Sequence, residues 1–483
     1  MISNIGPNSI NQLQSTYTPQ AATKSEAKAE NSNPQVSSDS VSLGSEKSSL
    51  GEFVPGQVII KTRGSMMASL NNESVVEKYG AKVLDNFQIP GRMKAAGAGQ
   101  MMQLQLPEGM TTEEALAQMQ QDPSIEFAVP NTIYHAEDVA KGQEFTREQL
   151  AEGKVPNDAK FSQQWDMYND GSKNGTARAD IHAPEAWQIT TGLPNGQGPL
   201  IAVIDTGVDI THPDLAANIY TNTKEIPDNG IDDDGNGFVD DYQGWNACLQ
   251  NGDVMDRQGH GTHVAGTIGA VGNNGEGVTG INWSATILPV KIFSDDGGAD
   301  AASIIRGINY ANSVGARLTS NSWGGGPANP AIQEAFRNSA DALHMMSAGN
   351  SGTNNDVHPH YPSDYGLPNN VAVAATDRND QLAKFSCYGE NNVDIAAPGK
   401  DILSTIPGGG YAVMSGTSMA TPHVTGAAGL LLAMDPEMSN DELVARLTKG
   451  GDQLESLQGK VGSGARLNIE GAMKYDYQGQ KVK

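Results

Sequence analysis

Short apolar runs alternate with helical patterns through the second half of the sequence, and this alternation constrains the fold more than any other feature. The predicted strands lie at 200–204, 287–293, 318–322, 343–347, 371–375 and 393–396. The predicted helices lie at 184–188, 262–270, 301–314, 330–340, 419–434 and 440–447. Apolar strands alternating with helices are typical of a parallel sheet covered on both faces. We therefore predict an α/β domain whose functional groups lie beyond the carboxyl ends of its strands.

A smaller ordered unit is predicted ahead of this domain, at residues 53–136. Its predicted strands lie at 57–61, 82–87, 101–106 and 125–129, and its predicted helices at 66–79 and from Thr112 to Met119. The order βαββαβ is the split βαβ arrangement of a small α+β unit. It contains no cluster of candidate catalytic side chains, so the pattern favours a binding or folding module.

Three further segments have no periodic apolar face. Residues 1–52 are rich in Ser, Asn, Gln, Ala and Lys, and we expect a disordered leader, either a plain one or an address for export or a partner. Residues 137–160 are polar and charged and are predicted to be a linker between the small unit and the large domain at 161–475. Residues 476–483 are predicted to be a tail.

The charge balance limits the possible partners. The chain of 483 residues has 31 Lys and Arg against 56 Asp and Glu, a net charge of −25. Such a polyanion is repelled by nucleic acid and by anionic membranes, and its carboxylates are available to hard cations such as calcium. No apolar run approaches the roughly 18 residues of a membrane-spanning helix. We expect a monomer without a nucleic-acid or membrane partner.

The N-terminus and the cysteines bear on the compartment. The first Lys is Lys24, and Gly6-Pro7 interrupts any apolar run, so a Sec-type signal peptide is not predicted. We expect secretion by another route, with a cytoplasmic location as the alternative. Two cysteines, Cys248 and Cys387, exclude a disulfide-rich scaffold and a Cys-based metal site. One disulfide or two separate buried thiols both remain open.

Three motifs carry side chains suited to chemistry. Asp205 ends the predicted strand IAVID, where it could also be a helix cap or a metal ligand. His260 and His263 stand three residues apart at a helix start, a spacing that zinc pairs also use, although no HExxH follows. Ser418, in GTSMATP, enters a helix and could be a simple N-cap. Each motif alone is ambiguous.

Together the three motifs predict nucleophilic catalysis. A serine needs a base to take its proton, and the base needs a carboxylate that orients it and stabilises its charged form. The order along the chain is Asp205, His260, Ser418. This differs from the Ser–Asp–His order of α/β-hydrolases and the His–Asp–Ser order of chymotrypsin, and it is the order of subtilisin.

The chain from Phe161 to Gly471 resembles the subtilase family of serine peptidases. The resemblance is carried by IDTGVD, GHGTHVAG, NSWGGG, SAGN, YPSDY, AAPG and GTSMATPHV, in that order. The small unit resembles the ferredoxin-like propeptide of the family through IEFAVPN at 125–131. The resemblance implies a serine endopeptidase acting on proteins or peptides, made as an autoinhibited precursor. Its propeptide would be an intramolecular inhibitor, cut off within 135–160.

The resemblance also implies roles for individual residues. Ser418 would be the nucleophile, His260 the general base and then acid, and Asp205 the carboxylate that orients it. Asn350, in SAGN, would donate to the oxyanion together with the Ser418 N–H, although it could instead only form a turn after Gly349.

A second set of residues would bind the substrate. By resemblance, Ser322, Trp323 and Gly324 form the strand that pairs with the substrate backbone. Ala348 and Gly349 would form a wall of the primary pocket. His360 stands where the family often has a small residue, so we expect a shorter pocket or a preference for a polar or acidic side chain.

Calcium is the expected cofactor. The loop at 232–241 places oxygen ligands at alternate positions, from Asp232, Asp234, Asn236 and Asp240, and the alternative is a solvated acidic turn. Gln243 replaces the glutamate that normally closes such a loop, so Asp240 or Asp241 would have to close it. By resemblance, Asp214 and Asn274 match ligands of a tight calcium site and Asp394 a ligand of a weaker one. The role would be structural.

A silent binding protein and a lipase or esterase are the two alternative functions. A silent binding protein could keep the fold, but all four candidate catalytic residues are present. A lipase or esterase is opposed by the triad order and by the predicted substrate strand.

Overall fold

The computed structural model describes residues 51–63, 75–87, 99–136 and 154–477. Most of the predicted leader, the first part of the predicted helix at 66–79 and most of the predicted linker lie outside these residues. Within them, no helix combines the length and the apolar character needed to cross a bilayer.

The small unit has the predicted βαββαβ order. Its elements are β1 (Phe53–Thr62), a helical segment at 75–79, β2 (Lys82–Asp85), β3 (Met101–Gln105), α1 (Thr112–Met119) and β4 (Ile125–Ala136). Strand β1 pairs antiparallel with both β3 and β4, and β2 pairs with β3. Thr111 and Glu114 form a reciprocal capping box that starts α1. Strand β4 runs to Ala136 rather than ending near Val129.

The large domain is the predicted α/β fold. Its strands are, in chain order, β5 (Leu200–Asp205), β6 (Trp245–Asn246), β7 (Thr286–Lys291), β8 (Gly298–Asp300), β9 (Leu318–Asn321), β10 (Trp323–Gly324), β11 (Leu343–Ser347), β12 (Asn370–Thr376), β13 (Ile395–Pro398), β14 (Ile402–Ile406), β15 (Gly410–Met414), β16 (Asp452–Gln453) and β17 (Ala465–Arg466). Nine strands form one sheet in the order β16-β17-β13-β12-β11-β9-β5-β7-β6, in which only the β16–β17 pair is antiparallel.

Helices cover both faces of this sheet. They are α2 (Ala183–Ala186), α3 (His260–Gly269), α4 (Ala301–Ser313), α5 (Pro330–Asn338), α6 (Thr417–Met434), α7 (Asn440–Lys449) and α8 (Ile469–Lys474), with 3₁₀ turns at Phe161–Gln163, Ala216–Asn218, Ser363–Tyr365 and Glu455–Leu457. Alternate side chains of β5 point to opposite faces. Ile201 and Val203 join the core beneath α3 and α6, while Ala202 and Ile204 join the core beneath α4 and α5. The hairpin β14–β15 was not predicted.

The cysteines are two separate thiols. Cys248 donates to the Ile292 carbonyl oxygen at 2.8 Å, and burial raises the pKa of its thiol to about 11. Cys387 is buried, with its Sγ 3.1 Å from Ser351 Oγ. The structure therefore contains no Cys248–Cys387 disulfide.

Candidate active site

The end of β5 and the start of α3 bring Asp205 and His260 together. His260 Nδ1 lies 2.7 Å from Asp205 Oδ1, and the Thr206 N–H donates to the same carboxylate oxygen at 2.7 Å. Both side chains are buried, with Asp205 fully inaccessible and His260 5% exposed. Because Nδ1 faces the carboxylate, Nε2 lies on the opposite edge of the ring. The pair can therefore hold an imidazole in one tautomer and stabilise its protonated form.

Small residues and one further carboxylate set the start of α3. A Cβ on Gly261 would lie 2.1 Å from the Gly207 carbonyl oxygen, so only glycine permits this approach of helix to strand. Asp256 accepts hydrogen bonds from Thr206 Oγ1 at 3.0 Å and from the Thr262 N–H at 2.9 Å. An anion at a helix N-terminus is stabilising, and this one also ties the helix to the end of β5. Asp256 was not singled out from the sequence.

His263 has a different environment from His260. Its Nε2 lies 3.0 Å from the Ile402 carbonyl oxygen and 3.1 Å from that of Ala412. Burial lowers the pKa of His263 to about 3, so the ring stays neutral and holds the β14–β15 hairpin. The two histidines therefore do not share partners, and the geometry does not favour a zinc pair.

Ser418 and Asn350 meet at the N-terminus of α6. Ser418 Oγ donates to the Ser322 carbonyl oxygen at 3.2 Å, and Ser322 Oγ donates to the Ser418 carbonyl oxygen at 2.9 Å. The Thr417 N–H and Oγ1 both donate to Asn350 Oδ1, at 2.9 and 3.0 Å. Since the amide oxygen is held on the helix side, the Asn350 NH₂ group faces away from Thr417. It can act with the backbone N–H groups at this helix end as a donor to an anion.

The predicted substrate strand is paired with the small unit. Strand β4 lies between β10 and β8, antiparallel to both, with Ala136 opposite Trp323 and Tyr134 opposite Ala299. Tyr134 is buried, its hydroxyl donates to the Pro327 carbonyl oxygen at 3.1 Å, and its ring meets Trp323 edge to face. This pairing accounts for the unexpected length of β4.

The predicted pocket residues also lie together. Ala348 is fully buried beside Gly349, and His360 lies next to both Gly349 and Gly324. His360 and Asn350 line a cavity of about 620 Å³, together with Ala136. The Tyr361–Pro362 peptide bond that follows His360 is cis.

Asp214 and Asn274 are neighbours, as predicted, and Asp158 joins them. Asn274 Nδ2 donates to Asp214 Oδ1 at 2.7 Å, and Asp158 Oδ2 accepts from the Asn273 N–H at 2.7 Å. Asp158 Oδ1 is buried without a hydrogen-bond partner. Burial, with a further contribution from the charge of Asp214, raises the pKa of Asp158 to about 6. An orphaned buried carboxylate oxygen in an oxygen-rich site fits a bound cation.

The acidic loop assembles a different ligand set from the predicted one. Glu225, Asp232 and Asp234 each place one carboxylate oxygen within 4.8 Å of the others. Glu225 is 4% exposed and one of its oxygens has no hydrogen-bond partner, which again fits a cation. Asp240 instead accepts from the backbone N–H groups at 229 and 230 and is not part of this group.

The remaining predicted ligands have partners within the protein. Asn236 Nδ2 donates to Asp241 Oδ2 at 3.0 Å, while its Oδ1 accepts from the Phe238 N–H at 2.8 Å. Asp394 accepts from the Ala372 N–H at 2.7 Å, and desolvation raises the pKa of its carboxyl group. Among the described residues, Asp394 has no pair of acidic, His or Cys side chains at metal-ligand spacing.

Two family patterns match this chain, and the sequence is similar to known proteases. The sequence pattern of the subtilase family matches residues 196–464, and that of the fervidolysin N-terminal prodomain matches residues 39–131. Thermitase of Thermoactinomyces vulgaris is 38% identical over 297 residues, 61% of this chain and 94% of thermitase. The cell wall-associated protease of Bacillus subtilis is 35% identical over 79% of this chain, which spans only 38% of that relative.

A solved structure shares the fold. Fervidolysin of Fervidobacterium pennivorans superposes with a TM-score of 0.68 at 22% identity, over 88% of this chain and 62% of fervidolysin. The family match covers more than half of the sequence, and the prodomain match covers most of the small unit. The chain therefore belongs to the subtilase family of serine endopeptidases and carries an N-terminal prodomain ahead of its peptidase domain.

Proposed function

We propose that this protein is a self-processing zymogen that hydrolyses peptide bonds in proteins after its own prodomain has been cut away. The observation that carries the proposal is the position of β4 between β8 and β10. An extended substrate would add a strand at the same edge, so the prodomain and the substrate compete for one set of backbone hydrogen bonds.

The first half of the reaction would transfer the acyl group of the substrate to Ser418. Ser418 Oγ attacks the carbonyl carbon of the scissile bond while His260 Nε2 takes its proton. Asp205, held 2.7 Å from Nδ1, stabilises the imidazolium. The carbonyl oxygen becomes an oxyanion, to which Asn350 and the Ser418 N–H donate.

The second half returns the enzyme to its starting state. The C–N bond breaks as His260 gives its proton to the leaving amine, which leaves an ester on Ser418. Water then attacks this ester with His260 as base, and the product acid and the free serine are released.

Substrate recognition is divided between backbone and side chains. Ser322, Trp323 and Gly324 would pair with the residues ahead of the cut, which selects extended chains of many sequences. Ala348, Gly349 and His360 would contact the side chain next to the cut. The processing site would lie within 135–160.

The setting of the enzyme is part of the proposal. A relative is a cell wall-associated protease, and we propose secretion of this protein by a route other than Sec, with a cytoplasmic location as the alternative. A net charge of −25 supports a monomer with neither nucleic acid nor an anionic membrane as partner.

Calcium would act as a structural cofactor. Asp158, Asp214 and Asn274 would hold one ion near the start of the peptidase domain, and Glu225, Asp232 and Asp234 a second. Both sets offer hard oxygen ligands, and both contain a buried oxygen without a hydrogen-bond partner. Such ions would brace loops and take no part in bond cleavage.

The test uses a serine-directed fluorophosphonate on the purified full chain in calcium. We expect the label at Ser418 by peptide mass, and a wild-type chain that shortens to the peptidase domain. The Ser418→Ala chain should stay full length and unlabelled.

Two other outcomes would change the conclusion. A full-length, unlabelled wild type that becomes labelled after trace protease nicks the linker would be a zymogen without self-processing. A chain that stays unlabelled after nicking would be a silent binding protein, and ester turnover without peptide cleavage would indicate an esterase.

A further inference from the structure

The cavity beside Asn350 has an unusual chemical character for so acidic a protein. It measures about 620 Å³, and Ala136 of β4, His358 and His360 are among the residues that line it. Among the described residues that line it, no Asp, Glu, Lys or Arg is present. With a net charge of −25 over the whole chain, a lining whose titratable groups are both imidazoles is a local exception.

The ring of His360 lies between two backbone walls. A Cβ on Gly324 would lie 2.8 Å from His360 Nε2, and a Cβ on Gly349 would lie 3.0 Å from the same atom. Both walls therefore need glycine to admit the imidazole.

The opposite edge of the ring is held from behind. His360 Nδ1 lies 3.1 Å from Ser363 Oγ, and the His360 backbone N–H donates to Asp364 Oδ2 at 2.8 Å. Ser363 Oγ also lies 2.8 Å from Asp364 Oδ1. Ser363 thus links the Nδ1 edge of the imidazole to Asp364, and the edge that carries Nε2 faces the two glycine walls.

The register of β4 relates this pocket to the bond that is cut. Gly324 is opposite His135 and Trp323 is opposite Ala136. A chain continuing this register by one residue would lie opposite Ser322, whose carbonyl oxygen accepts from Ser418 Oγ. In the sequence, the residue after Ala136 is Glu137, which lies outside the described residues.

We propose that this pocket accepts an acidic side chain, glutamate or aspartate, from the residue immediately before the cut, and that His360 is the specificity-determining residue. The proposal rests on the proposed function. A carboxylate that leaves water needs a charge-assisted hydrogen-bond donor. His360 Nε2 supplies such a donor. Among the other described residues of the lining, only His358 could do the same. The prodomain would be cut after Glu137.

The test compares matched peptides that differ only in the residue before the cut. With the processed enzyme, we expect kcat/KM for Glu to exceed that for Gln by about tenfold or more, the size of effect typical of a charge-assisted hydrogen bond. In His360→Gln this ratio should fall toward one, because turnover of the Glu peptide should drop by a larger factor than turnover of the Gln peptide. His358→Gln, in the same cavity, is the matched control and should keep most of the preference.

Processing of the full chain gives a second measurement. Glu137→Gln should slow prodomain removal about tenfold in the wild type and hardly at all in His360→Gln, and the new N-terminus should be Asp138. Equal turnover of Glu and Gln peptides, or a preference that survives His360→Gln, would overturn the pocket assignment. If the enzyme labels at Ser418 and cleaves neutral peptides, that failure concerns the pocket alone. A chain that neither labels nor cleaves would refute the proposed function and the pocket with it.

Discussion

The prodomain and the peptidase domain contribute very differently to the interface between them. The peptidase side is built from buried groups of a large core, such as Trp323 of β10, whose ring stacks on Phe336 of α5. The prodomain side is a short strand, one buried aromatic side chain and a few polar links. Among its described residues, the core of the prodomain contains twelve buried side chains, whereas a nine-stranded sheet supports the peptidase site.

This difference fits a prodomain that is removed and a peptidase domain that stays folded without it. Ile59 and Tyr134 of the prodomain belong to the same apolar cluster as α4 and α5, so the prodomain completes its core on the peptidase. Asn131 Oδ1 accepts from the Ala302 N–H at 3.0 Å and thereby supports the start of α4. A small unit that relies on its partner for burial loses stability once it is cut free.

Ser418→Ala should have the largest effect on activity and on prodomain removal. Without the hydroxyl nucleophile, peptide turnover should fall by about 10⁴–10⁶, and the prodomain should remain attached. Active-site labelling and gel analysis of the full chain measure both effects. A precursor that still shortens in the absence of other proteases would show that cleavage does not depend on Ser418.

Asn350→Ala should have the next largest effect. Loss of the amide donor should lower kcat by about 10²–10³ with little change in KM, because the donor acts on the oxyanion rather than on the bound peptide. Asn379→Ala, in a loop away from the site, is the matched control. An increase in KM at unchanged kcat would mean that Asn350 only binds substrate.

The sequence predicted the elements of the fold better than the contacts that assemble the site. Strand β11 begins and ends where its apolar run does, because a strand that is buried on both faces is recognisable as a short continuous apolar run. Strand β4 is longer than its apolar pattern, since residues 133–136 are extended through pairing with strands of another domain. Such pairing has no local signal.

The candidate metal ligands illustrate the same limit. Asp232 and Asp234 were found because they repeat within one loop, whereas Glu225 lies outside the motif and Asp158 lies in a segment predicted to be a linker. Asp240 fits the loop spacing, yet it accepts from nearby backbone N–H groups instead. Spacing identifies candidates, and only the folded chain decides which carboxylates converge.

Tyr134→Ala should loosen the prodomain. Removing a buried aromatic side chain costs about 3–5 kcal/mol, so we expect the nicked prodomain to dissociate about 10²-fold or more faster. The rate at which activity appears after nicking and dilution measures this. Tyr134→Phe keeps the ring on Trp323 and loses the hydroxyl contacts with Pro327 and Tyr365, so its effect should be about tenfold or less. Equal rates for both variants would contradict the role of the ring.

The polar links should contribute less, and their contribution should depend on salt. Arg306 Nη1 lies 3.2 Å from Asp85 Oδ2, and Lys61 Nζ lies 3.0 Å from Glu334 Oε1. Partly exposed pairs of this kind contribute about 0.2–1 kcal/mol, so Asp85→Asn or Lys61→Gln should speed prodomain release about two- to fivefold at low salt. The difference from wild type should shrink at about 1 M salt, where charges are screened within roughly 3 Å. A salt-independent effect would point to lost packing instead.

Asp158→Asn should have the smallest effect of these substitutions. Whether it raises or lowers the midpoint of thermal unfolding should depend on calcium. The pKa of Asp158 is raised to about 6 in the fold, so the stability linked to its protonated form is present below about pH 4 and is lost as pH rises through about 6. At pH 7 in a chelator, the ionised carboxylate destabilises the peptidase domain, and the neutral amide should raise the thermal midpoint by a few degrees. If Asp158 binds calcium as proposed, the carboxylate is a ligand in calcium and the same substitution should lower the midpoint. Thermal unfolding of the Ser418→Ala background, with and without calcium, avoids self-digestion. A shift of one sign in both conditions would mean that Asp158 does not contact the ion, and the bracing of the peptidase domain would then have to come from the Glu225 group alone.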